Sequence, residues 1–230
     1  MGSGDDPVGF YAGLLASGLL SDQALCLTVV RGCGVDEAIT GYDGFTGGEP
    51  LTLPAAGAAG QGVYPDLVPI VVAGDCGGWT VLAEDNGWHG SGERVLARLS
   101  AGGGVAASVY WNVNRVTRIG YAVDGRWLAS FDYVCTSWSG PRPDRLAAFL
   151  DGLPLDDPER SDAAALAVLE RISGVRIGAE WLTQPHQTSV VVPATVFEPD
   201  CAPRGADSPG GVEGPAGSPV AAGVVKLRAA

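Results

Sequence analysis

Residues 104–134 read GVAASVYWNVNRVTRIGYAVDGRWLASFDYV, and this stretch limits the fold more than any other part of the chain. Val109, Trp111 and Val113 alternate with Tyr110, Asn112 and Asn114. A period of two cannot bury one stripe of a helix, but it places alternate side chains on opposite faces of a strand. Asp124-Gly125 interrupts the pattern with the residues a tight hairpin turn requires, where both backbone positions take positive φ. The stretch therefore predicts antiparallel strands with one wetter face.

Other segments extend that sheet. ALCLTVV, residues 24–30, is short, apolar and rich in β-branched residues, as a buried strand is. LVPIVVAGD and GWTVLAED flank a Gly-rich turn at Asp75-Cys76-Gly77-Gly78 and read as a second hairpin. SVVVPATVF reads as a last strand, placed at an edge by Pro193. Helical signals lie between these runs. Residues 7–20 carry Phe10, Leu14, Leu15 and Leu19 on one stripe, and VDEAITGY puts Asp36 and Glu37 in a first turn. Ser91 reads as the N-cap of a helix burying Val95, Leu96 and Leu99. RPDRLAAFLDGL reads as a short helix. Asp157-Pro158 opens a further helix that buries Leu166 and Leu169 and stops at Gly174. Residues 43–66 show no period and read as a long loop.

The expected fold is α+β. An antiparallel β-meander of about five or six strands carries helices packed on one face, with an N-terminal helix and βα unit and a C-terminal helix. A single domain is assigned to residues 7–197. Residues 198–230, rich in Pro, Gly and Ala, are expected to be a disordered tail.

Charge and composition narrow the function. A net charge of -12 disfavours nucleic acid and anionic membrane surfaces as partners. No apolar run reaches the length of a membrane span. Five cysteines at scattered spacing and two histidines argue against a structural metal site or a metal cofactor. They read instead as reduced thiols of a cytoplasmic protein. No cofactor motif is complete: GCGVDEA lacks a third glycine, and AGGGVA follows a helix rather than opening one.

The candidate sites are two. At the corner LAEDNGWHG, Glu84, Asp85 and His89 are the candidate acid–base groups, with Asn86 and Trp88 as binding residues. Turn chemistry accounts for the same residues, with Trp88 as a core plug. On the meander, Tyr110, Asn112 and Asn114 would share one strand face and bind a polar partner or ligand. Asp132, between Phe131 and Tyr133, is a further catalytic candidate, expected to pair with Arg115 or Arg118 across the hairpin.

The ordered motifs CLTVVRG, LAEDNGWxG, YWNVN, YAVDG and FD resemble those of an uncharacterised actinobacterial family, a domain of unknown function, over roughly residues 10–185. The resemblance implies no activity. It implies a setting among bacterial signalling or conflict systems. The function expected is a non-enzymatic protein-interaction or sensor domain whose partner is another protein. The alternatives are a small hydrolase or transferase using Glu84, Asp85 and His89, and an acidic immunity-type protein that captures a basic partner.

Overall fold

The computed structural model describes residues 6–61 and 68–192, all within one compact unit. Among the described residues, eight antiparallel strands form one sheet, interleaved with seven α-helices. The strands are β1 (Leu25–Arg31), β2 (Ile70–Cys76), β3 (Trp79–Asp85), β4 (Val105–Trp111), β5 (Thr117–Val123), β6 (Arg126–Asp132), β7 (Ser137–Ser139) and β8 (Gln187–Val190). Their spatial order is β7-β6-β5-β4-β1-β3-β2-β8. The class is the α+β expected, with more strands than the meander alone suggests. The short edge β7 was not anticipated, and the other edge, β8, overlaps the start of the last strand expected at SVVVPATVF.

Helices lie on both faces of the sheet, not on one. The reason is visible in β1, where Leu25 through Val30 are all buried. A strand apolar at both parities needs cover on both sides. Leu25, Leu27, Val29, Val81, Ala83, Val109 and Trp111 face a core completed by α1 (Pro7–Ala16), α6 (Ser161–Ser173) and α7 (Ala179–Thr183). Val30, Leu82, Ala106 and Ala122 face a second core under α2 (Val35–Gly41) and α4 (Glu93–Leu99). In α1 the buried stripe is Val8, Tyr11 and Leu14, so Phe10 and Leu15 sit at its margin. The run of alanines in α6 lets that helix sit close to both α1 and the sheet. Also in this layer, α5 (Pro143–Leu150) packs against β6.

Three local expectations are corrected. Residues 53–60 of the anticipated long loop form a helix, α3 (Leu53–Gly60). The Thr52 hydroxyl caps it by accepting the Ala55 N–H, Pro54 starts it, and Leu53 and Ala56 are buried. Small residues gave no amphipathic stripe to detect. The N-cap of α4 is Gly92. Ser91 lies in a 3₁₀ turn, His89–Ser91, and its hydroxyl donates to the Trp88 carbonyl. The helix α6 begins at Ser161, after a turn in which the Asp157 carbonyl accepts from Arg160 and Ser161 N–H. Gly174 ends it at φ 71°, as anticipated. Pro193 and the segment 198–230 lie outside the described residues.

Candidate functional site

β3 ends at Asp85, and the chain turns through Asn86 at φ 60°. The turn sends Gly87, Trp88 and His89 back over the second core. Antiparallel register sets Glu84 opposite Cys26 of β1, which is opposite Tyr110 of β4. All three therefore point to the face covered by α2 and α4.

Glu84 is 1% exposed. Its Oε2 accepts the Tyr42 hydroxyl at 2.8 Å and the Gly90 N–H at 3.3 Å. Its Oε1 is buried with no partner among the described residues. Burial pushes the carboxyl above its ordinary range, and hydrogen bonding from Tyr42, Gly90, Cys26 and His89 only partly opposes this. The site depends on glycines. A Cβ on Gly87 would strike the Glu84 side chain, and one on Gly90 would strike the Tyr42 and Thr28 hydroxyls. The Cys26 thiol lies 3.9 Å from the Tyr42 hydroxyl. Burial first, and the Glu84 charge second, push it far above a reactive range.

His89 is on the same side. Its Nε2 meets Asp43 Oδ2 at 2.9 Å, and Tyr42 packs on it edge-on at 5.2 Å between ring centroids. Arg98 holds the same Asp43 oxygen at 2.8 Å. Burial lowers the His89 pKa, although Asp43 acts the other way. With the ring neutral, the contact is an Nε2–H donated to Asp43, which leaves Nδ1 as an acceptor.

Beside this cluster is a cavity of about 660 Å³. Glu84, Asp85, Asn86, Trp88 and His89 all line it, so the structure brings the whole corner to one space. Its other walls are α3, the start of β2 and residues 190–192. Asp85 reaches it from the opposite face of β3, against Gly57 of α3. Burial raises its pKa also. Trp88 is no core plug: it is 57% exposed at the corner.

The second sequence candidate does not form a site. β4 ends at Trp111, so Asn112 and Asn114 are in a loop and do not share a strand face with Tyr110. Asn112 serves that loop: its Oδ1 accepts the Asn114 and Val116 N–H groups, and its Nδ2 donates to the Tyr110 hydroxyl at 2.8 Å. Asp132 pairs with neither arginine. Its Oδ1 accepts the Thr117 hydroxyl and the Val134 and Cys135 N–H groups. Partial burial would raise its pKa, but those donors prevail and lower it. Arg115 instead bridges to Asp162 at 3.1 Å.

Tyr42, Asp43, Arg98 and α3 were not singled out from the sequence. Tyr42 lies 42 positions from Glu84, and no local pattern reports such a contact. The one local trace is Asp43, which takes φ 58° in the turn after α2. Among the described residues, no group of three or more His, Cys, Asp or Glu side chains is placed to hold a metal ion. No described helix is long and apolar enough to cross a membrane.

No curated protein and no solved structure matches the chain. Residues 19–196, from the end of the first helical segment past the last strand, match a family of unknown function, DUF6461. That span takes in every residue of the corner and its cavity, and the chain belongs to this family.

Proposed function

We propose that the domain is a non-enzymatic sensor that takes a small, largely apolar molecule into the cavity beside β3. The carrying observation is the convergence of Glu84, Asp85, Asn86, Trp88 and His89 on one space of about 660 Å³. That volume is typical of small-molecule sites, which combine apolar walls with a few polar groups. Val68, Val190 and Val192 supply exposed apolar side chains at its walls. Trp88 offers a built-in reporter. Binding of apolar small molecules is expected to shift tryptophan emission in the wild type and much less in Trp88→Phe. A saturating heat of binding to a variant with Ile70→Trp, which fills the cavity, would overturn the reading.

In this reading the sensor passes its state to another protein. Trp138, 41% exposed and packed on Phe131 at 4.6 Å, supports a recognition surface away from the cavity. The four described cysteines are all free, which supports a cytoplasmic setting. The resemblance of the motif string supports a setting among bacterial signalling or conflict systems.

One observation favours a second reading, a hydrolase or transferase. The Asp43–His89 pair has the arrangement of a general base and the group that orients it. His89→Gln should abolish any turnover found in a substrate screen. Turnover that survives this substitution removes His89 from the chemistry.

A further inference from the structure

The cavity has a marked electrostatic bias. Glu84 and Asp85 line it, and no Lys or Arg is among its described lining residues. His89 is paired with Asp43, and Arg98 is spent on Asp43 and the Gly41 carbonyl. Glu84 Oε1 is buried without a partner, and no hydrogen bond to the Asp85 carboxyl occurs among the described residues. A buried acceptor without a donor is costly, and a ligand that brings the donor recovers that cost. The apolar walls exclude an extended polar ligand. The exposed indole of Trp88 adds a ring face suited to a cation. The whole chain, at -12, draws cations toward it.

From these features we infer that the cavity is a site for a small organic ammonium ion with an apolar body. The head group donates to the acidic wall beside Glu84 and Asp85, and the apolar part lies against α3, Ile70 and Val190. The inference rests on the sensor reading of the same cavity and narrows it to one ligand class.

The test is calorimetric titration of the full chain at neutral pH and physiological salt. The probes are n-alkyl- and arylalkylammonium ions, each with its matched alcohol and carboxylate. The ammonium member of each set is expected to bind at least about tenfold tighter than the alcohol, the least that one charge-assisted hydrogen bond supplies. Asp85→Asn and Glu84→Gln should each close that gap and leave alcohol binding unchanged. Asp85 is only half-buried, so its variant should fold even if the Glu84 variant does not. Asp124→Asn removes a carboxylate from the distant hairpin turn and should change nothing. Equal affinity for alcohol and ammonium would overturn the charge inference and leave an apolar sensor cavity standing. An ammonium preference lost equally in Asp124→Asn would overturn it too, since net charge would then be the cause. If no member of any set binds, the sensor reading falls with it.

Discussion

Glu84 is a buried acid whose position is set by two glycines and one tyrosine. Because burial raises its pKa in the folded state, its contribution to stability is fully present below the unfolded carboxylate value. That contribution is lost as pH rises from about 4.3 through the folded value. Glu84→Gln keeps an acceptor for Tyr42 and Gly90 but cannot ionise. Its melting temperature should equal that of the wild type near pH 4 and exceed it increasingly toward pH 8. The expected gain is on the order of 1–3 kcal/mol, the desolvation of one buried polar group. A pH-independent difference would mean that Glu84 ionises freely. Gly90→Ala should be more damaging, because its Cβ meets the Tyr42 and Thr28 hydroxyls at the centre of the second core. Overpacking there should cost about 1–3 kcal/mol in denaturant midpoint.

At the scale of elements, α3 and the loop 112–116 show how local polar groups hold ambiguous segments. α3 has little apolar surface, so its Thr52 cap matters more than in a longer helix. Thr52→Ala should cost about 1 kcal/mol. Hydrogen exchange should show faster opening of Leu53–Gly60, the helix that walls the cavity, with little effect on β1. The loop after β4 is tied down by Asp162 of α6, which receives Arg115 at 3.1 Å and the Tyr133 hydroxyl at 2.8 Å. Tyr133 is buried, and its pKa is raised by burial and by the Asp162 charge. Asp162→Ala leaves the tyrosine hydroxyl without its acceptor and should cost about 1–3 kcal/mol. Unchanged urea midpoints would show that this tie adds nothing to folding.

For the whole molecule, the decisive feature is one sheet with a core on each face. The central strands β4, β1 and β3 belong to both cores. Leu166→Ala on the α6 side and Leu96→Ala on the α4 side should each cost about 2–5 kcal/mol. Each should also leave a single cooperative transition, because neither core can open without exposing the strands they share. Separate transitions by far-ultraviolet circular dichroism and tryptophan emission would show that the faces unfold independently.

The amino-acid sequence alone determined the strand-forming runs, the Asp124-Gly125 turn and the Gly174 helix stop, because each depends on neighbours a few positions apart. It also marked the corner Glu84–His89 as dense in chemistry. Tertiary structure decided the rest. Whether Trp88 is core or surface, whether Asn112 faces a ligand or its own loop, and which group holds Asp132 all depend on where a strand ends, which alternation alone does not mark. Pairing of Glu84 with Tyr42, and of His89 with Asp43, spans more than 40 positions. These contacts exist only because α2 and the corner are pressed onto the same face of β1. The burial that shifts the pKa values of Glu84, Tyr42 and His89 is a property of that assembled layer, not of any stretch of the chain.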